Sequence, residues 1–166
     1  MPTRVCVMGV SGAGKTVVGT LLADALAVPF LEGDALHPPE NVRRMAQGIP
    51  LTDDDRRGWL GAIAERIAEA RRTSGSLVVA CSALKRAYRD VLRGADGALQ
   101  FVHLTGDAGL IQQRMGQRVG HYMPASLLDS QLATLEVPGV DEHAWTFDVA
   151  ESPSAIVAHI VERLAA

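Results

Sequence analysis

The stretch GVSGAGKT, residues 9–16, limits what this chain can fold into more than any other. It satisfies the pattern G-x-x-x-x-G-K-[ST] without a mismatch. It sits between a short apolar run, RVCVMGV (4–10), and KTVVGTLLADALA (15–27), whose Val18, Leu21, Leu22 and Leu26 recur at helical spacing. That strand–loop–helix context separates a phosphate-binding loop from a glycine-rich turn that merely spells the motif. Gly9, Gly12 and Gly14 let the backbone turn its N–H groups toward phosphate oxygens, with Ser11 and Ala13 completing the cradle. The helix beginning near Lys15 adds its positive end. Lys15 is expected to reach the β- and γ-phosphates, and Thr16 to ligate Mg²⁺ through its hydroxyl. A nucleoside triphosphate is implied; the fate of its γ-phosphate is not.

The same alternation continues along the chain. PFLEG (29–33), SLVVACSA (76–83), LQFVHLTG (99–106) and AWTFDVA (144–150) read as further short strands, each separated from the next by helical patterns. Five short strands alternating with helices predict a three-layer α/β fold, a parallel sheet with helices on both faces. A length of 166 residues suits one such domain. Ligands of such sheets bind beyond the carboxyl ends of the strands, so the polar residues at those ends become the candidates for chemistry.

Composition narrows the partners. With 48% hydrophobic and 21% charged residues the chain is not disordered, and a net charge of −3 gives no basic field to recruit nucleic acid or an anionic membrane. Any anionic ligand must be caught by local cations. Cys6 and Cys81 lie in apolar strand-like runs and read as buried thiols of a reducing compartment. Arg4 precedes only a short apolar run, so neither a signal peptide nor a membrane span is expected, and the setting is read as cytoplasmic.

A regulatory GTPase would need N-K-x-D and D-x-x-G, and neither occurs. The strand LVVACSALK ends in Ser82 and Lys85 rather than in a second metal-binding acid. LEGDALHPPEN (31–41) supplies the replacement: Glu32 to order magnesium, through water or directly, and Asp34 to accept or orient the proton of a receiving hydroxyl. Lys85 suits an anionic acceptor, and His37 suits either an acceptor hydroxyl or loop packing. In RMGQRVGHYM (114–123), Arg114 and Arg118 lie four apart before a glycine, as a closing lid over the nucleotide requires; a solvated surface pair is the alternative. Arg86, Arg89 and Arg93 also share a helix face and read as a solvated stripe.

Taken together, MGVSGAGKT, GDALHPPEN, RMAQGIPLTDDDR, CSALKRAYRD, GHYMP and LLDSQLATLE, in this order and over nearly the whole chain, resemble the bacterial-type gluconokinases. These belong to the shikimate- and adenylate-kinase-like phosphate-loop kinases. The resemblance implies ATP- and Mg²⁺-dependent phosphorylation of D-gluconate on its terminal hydroxyl, by a homodimer feeding the pentose phosphate or Entner–Doudoroff routes. It implies an acceptor-binding helical segment over residues 35–75 and a mobile lid over residues 114–124. Arg114 would pack near the adenine, Arg118 near the phosphates, and His37, Arg56, Ser82, Lys85 and Gln131 around gluconate, with Asp34 facing its hydroxyl. Glu32, where the family more often has Asp, and Arg57-Gly58 before Trp59 depart from the pattern. Competing readings are another small-molecule kinase, such as a shikimate kinase, and an ATP-binding module without turnover.

Overall fold

The computed structural model describes residues 2–116 and 127–166. Its centre is a five-stranded sheet, parallel throughout, in the order β2-β3-β1-β4-β5. The strands are β1 (Arg4–Met8), β2 (Phe30–Glu32), β3 (Leu77–Ala80), β4 (Gln100–Thr105) and β5 (Trp145–Asp148). The chain runs from β1 to the edge at β2, returns to β3, and then crosses β1 to reach β4 and β5. The apolar runs read from the sequence are these strands, each shorter than its run and the third by the most.

Period-two alternation divides the core into two faces. Val5 and Val7 of β1, Val78 of β3, and Val102 and Leu104 of β4 point to one side. There they meet Val18 and Leu22 of α1 (Lys15–Leu26) and Ile156, Val157 and Ile160 of α7 (Pro153–Ala165). Cys6, Met8, Val79 and Phe101 point to the other side, onto Trp59, Leu60, Ile63 and Ile67 of α3 (Asp53–Arg72) and Tyr88 and Leu92 of α4 (Arg86–Ala95). Both cysteines are buried thiols, not joined by a disulfide. Helices α2 (Pro39–Ala46), α5 (Ala108–Gly116) and α6 (Leu127–Thr134) lie nearer the carboxyl ends of the strands, where Met45, Leu51 and Leu127 form a small third cluster. Among the described residues no helix is long and apolar enough to cross a membrane.

The acidic start of α3 shows how local sequence sets geometry here. Thr52 Oγ1 accepts from Asp55 N at 3.1 Å and Asp55 Oδ2 accepts from Thr52 N at 2.9 Å, a reciprocal cap; such a cap contributes about 1 kcal/mol. Asp55 also accepts from Arg44 Nη1 of α2 at 2.6 Å, and its carbonyl accepts from Asn41 Nδ2 at 2.7 Å. One residue thus caps a helix and docks the helix before it.

The arginines of α4 correct the sequence reading. Arg89 is fully buried and bonds Glu142 through two nitrogens, Nε to Oε1 at 2.7 Å and Nη2 to Oε2 at 3.0 Å, while Arg93 adds a further short contact to Oε1. Spacing alone placed all three on one face, but that face meets the short helical turn Val140–Glu142 instead of water. Arg86 is closer to expectation, partly exposed and paired with Asp141.

Candidate functional site

The loop after β1 takes a conformation that only glycine enters cheaply. Gly9 has φ +148° and a Cβ there would lie 2.6 Å from the Leu104 carbonyl oxygen; Gly12 has φ +85° and a Cβ would press at 3.1 Å on the Ile111 carbonyl oxygen. Gly9 N donates to Ser82 O at 3.3 Å, binding the loop to the chain that leaves β3. Lys15 Nζ lies over the loop and donates to Val10 O at 3.0 Å. Ser11 N donates to Gln131 Oε1 at 2.6 Å, so α6 reaches the cradle directly.

Thr16 lies in the first turn of α1, and its hydroxyl donates to Glu32 Oε2, at the end of β2, at 2.5 Å. Two hard oxygen groups, one from a helix and one from a strand, therefore meet beside the phosphate loop, which suits a Mg²⁺ that keeps water and phosphate oxygens as its other ligands. Among the described residues no cluster of three or more His, Cys, Asp or Glu side chains has the arrangement of a self-contained metal centre.

A cleft of about 530 Å³ opens from this loop across the carboxyl ends of the strands. Its lining includes Ser11, Gly12, Ala13, Gly14, Lys15 and Thr16, then Asp34, His37, Arg56, Ser82, Arg114 and Gln131, so most of the sequence candidates do gather in one place. Gly9 and Glu32 lie behind this wall, joined to it by the bonds just described. Lys85 is not in the lining; it pairs with Asp53 at 3.0 Å beside the cleft. Arg118 and most of the expected lid segment lie outside the described residues. Arg114 lines the far end with Val149, Glu151, Pro153 and Ile156, and its Nη1 donates to Val149 O at 2.6 Å.

The side of the cleft that carries Asp34 and His37 is built around Trp59, which the sequence reading gave no part in the site. Its Nε1 donates to Gly33 O at 2.8 Å, fixing the short turn Gly33–Leu36 that carries Asp34. His37 stacks on the indole with ring centroids 4.2 Å apart and planes 13° from parallel. Burial, more than the attraction of Asp34 offsets, brings the His37 imidazole down to about 4, and Arg56 pushes the same way, so the ring is neutral at pH 7. Asn41 Nδ2 lies 3.3 Å from Nδ1; with that amide donating, the ring proton sits on Nε2, the nitrogen 4.0 Å from Asp34 Oδ1. The cleft wall thus presents a carboxylate and a neutral N–H side by side, an acceptor and a donor for one hydroxyl-bearing ligand. Met45, Leu51 and Leu127 close it with apolar surface.

Arg56 completes this side. Its Nη1 donates to Tyr88 OH at 2.9 Å and its guanidinium carbon lies 5.5 Å from the centre of the Tyr88 ring. Neither Tyr88 nor Asp53, the next partner of its hydroxyl, was singled out in the sequence reading.

The fold and the sequence are shared with known kinases. The shikimate kinase family model matches residues 11–165. A gluconokinase of Gluconobacter oxydans is 47% identical over 99% of this chain and 93% of its own length. The crystal structure of a gluconokinase from Sinorhizobium meliloti superposes with a TM-score of 0.85 at 49% identity, covering 99% of this chain and 96% of that one. A sugar kinase from Janibacter gives a TM-score of 0.93 at 47% identity, over 99% and 95% of the two chains.

Proposed function

Since the chain belongs to the gluconokinase family, we propose that it transfers the γ-phosphoryl group of ATP to the terminal hydroxyl of D-gluconate, giving 6-phospho-D-gluconate. The observation that carries this reading is the single cleft in which the phosphate loop faces Asp34, His37 and Arg56.

Each group has a task that its position allows. The loop amides and Lys15 take the charge of the β- and γ-phosphates, which in phosphoryl transfer is most of what a protein contributes. Thr16 and Glu32 would hold Mg²⁺, which when bound neutralises phosphate charge. Asp34 receives the proton of the attacking hydroxyl, and the neutral Nε2–H of His37 orients a neighbouring oxygen of the acceptor. Arg56 offers planar paired donors to the carboxylate at the acceptor's other end. Ser82 and Gln131 border the space between donor and acceptor, and Arg114 lies where the base of the nucleotide would rest. Lys85 stands by as a second cation behind Arg56. The acceptor segment is then residues 35–75 and the lid residues 114–124, with Arg118 closing on the phosphates.

The proposal extends to a cytoplasmic homodimer; a monomer by light scattering at micromolar concentration would remove the dimer from it. The test of the reaction is coupled ADP release with Mg-ATP over gluconate, shikimate, AMP, neutral sugars and no acceptor. Turnover with gluconate alone is expected. Turnover with shikimate instead would keep the phosphate loop and Asp34 in their roles and discard the acceptor. A folded protein that binds ATP and releases no acceptor-dependent ADP would overturn the enzymatic reading.

A further inference from the structure

Four side chains, two from α3, one from α4 and Lys85 just before α4, form one connected unit at the acceptor end of the cleft. Tyr88 of α4 is 5% exposed, and its hydroxyl accepts from Arg56 Nη1 at 2.9 Å while donating to Asp53 Oδ1 in a short bond. Asp53 in turn takes Lys85 Nζ at 3.0 Å. Both cations lie near the Tyr88 ring, the Arg56 guanidinium carbon 5.5 Å and Lys85 Nζ 5.8 Å from its centre. Of the four, Arg56 alone lines the cleft.

We propose that Tyr88 and Asp53 are positioning residues for Arg56: they hold its guanidinium in the one orientation that receives the carboxylate of a sugar-acid acceptor, and so set the preference for an anionic over a neutral substrate. This rests on the gluconate-phosphorylating reading given above.

The chemistry favours a post of this kind. A free arginine side chain has many rotamers, and fixing them on binding subtracts from affinity. Tyr88 fixes them beforehand, by a ring beneath the guanidinium plane and one hydrogen bond at its edge. The guanidinium has five N–H donors. Among the described residues that bond commits one of them, which leaves a two-nitrogen edge for a carboxylate. Asp53 directs the tyrosine proton: because a carboxylate only accepts, the hydroxyl must donate to it and therefore presents its lone pairs to Arg56. The Asp53 carboxyl is held below its usual range by the Tyr88 hydroxyl first and by Lys85 next, so this direction persists at neutral pH. Lys85 and Asp53 cancel each other's charge, and Arg56 remains the cation that faces the ligand.

The experiment is steady-state kinetics of Tyr88→Phe, Asp53→Asn, Arg56→Lys and the Tyr88→Phe/Arg56→Lys double variant, with gluconate and ATP varied separately. Tyr88→Phe keeps the ring and the packing and removes only the hydroxyl. Its KM for gluconate should rise about 5- to 10-fold, the scale of one side chain released from its fixed rotamer, with kcat and the KM for ATP within about 2-fold. Asp53→Asn should show a smaller rise of the same kind. In the Arg56→Lys background the loss of the hydroxyl should have no further effect, because the group it positions is gone. An unchanged gluconate KM in Tyr88→Phe overturns the proposal. So does a loss shared equally by gluconate, ATP and kcat, or full additivity in the double variant, since either marks a structural role. Wild-type protein without gluconate turnover would instead overturn the reaction itself, and the two failures cannot be confused.

Discussion

Replacing Arg89 by methionine removes one member of a charge cluster whose central pair, Arg89 and Glu142, has no access to water. The Arg89 side chain is 0% exposed and that of Glu142 1%, and the carboxylate is held by both nitrogens of Arg89, by Arg93 and by the Gly139 amide at 2.9 Å. Methionine fills most of the space but leaves Glu142 with a buried charge and half its partners. Breaking a buried pair from one side costs about 3–5 kcal/mol. At about 2–4 °C per kcal/mol for a chain of this size, Tm should fall by roughly 6–20 °C. The pH dependence gives an independent reading. Burial pulls the Glu142 carboxyl up, and the hydrogen bonds from Arg89, Arg93 and Gly139 outweigh it, bringing it to about 2. In the unfolded chain a glutamate takes its proton near pH 4.3. The unfolded state therefore binds more protons between those values, and the stabilisation is present above about pH 4.3 and lost as the pH falls toward 2. Thermal melts from pH 7 to 3 on wild type, Arg89→Met and Arg89→Met/Glu142→Gln provide the assay. The double variant should recover much of the lost Tm and lose the acid-sensitive component. An Arg89→Met protein melting within 2 °C of wild type at pH 7 would show the cluster to be energetically idle.

Three further outcomes are expected. Asp34→Asn should bind ATP with near-normal affinity while kcat falls by about 10²–10⁴, the scale of a positioned base; turnover close to wild type would take Asp34 out of the reaction. Lys15→Ala should weaken nucleotide binding in calorimetry and lower kcat together, and an unaffected enzyme would refute the loop's role. His103, buried on β4 with neither ring nitrogen hydrogen-bonded among the described residues, is brought down to about 4 by burial, with Arg89 adding to it. The unfolded imidazole protonates near pH 6.5, so stability drops as the pH falls from about 6.5 to about 4. His103→Leu should flatten that part of the Tm–pH curve and raise Tm at pH 7 by a few degrees, about 1 kcal/mol; an unchanged curve would refute it.

How much of this was legible in the sequence depended on how far apart the interacting residues lie. The phosphate loop is local: three glycines, a lysine and a threonine in one turn define it, and Gly9, Gly12 and Gly14 all take positive φ there. The sheet was legible because short apolar runs between helices leave few alternatives. Trp59, Tyr88 and Arg89 were readable only as members of a helix face, since periodicity tells which way a side chain points and not what it meets. Arg89 meets Glu142, 53 residues later, in a turn with no pattern of its own. Likewise the three aspartates of TDDDR look equivalent in sequence. In the fold Asp53 holds Lys85 and Tyr88, Asp54 meets Arg57 on the surface, and Asp55 caps the helix.

The order of the sheet has one more consequence. Strands β2 and β3 are neighbours, yet the chain between them carries Asp34, His37, Met45, Leu51, Arg56 and Trp59, nearly the whole acceptor wall. The phosphate loop belongs to a different connection, from β1 to α1. On the roles proposed above, donor and acceptor recognition are therefore written in separate, contiguous paragraphs of the gene. Exchanging the stretch from Gly33 to Gly75 for its counterpart in another kinase of this fold would replace the substrate pocket as a cassette, with the strand ends as splice points and the nucleotide machinery left intact.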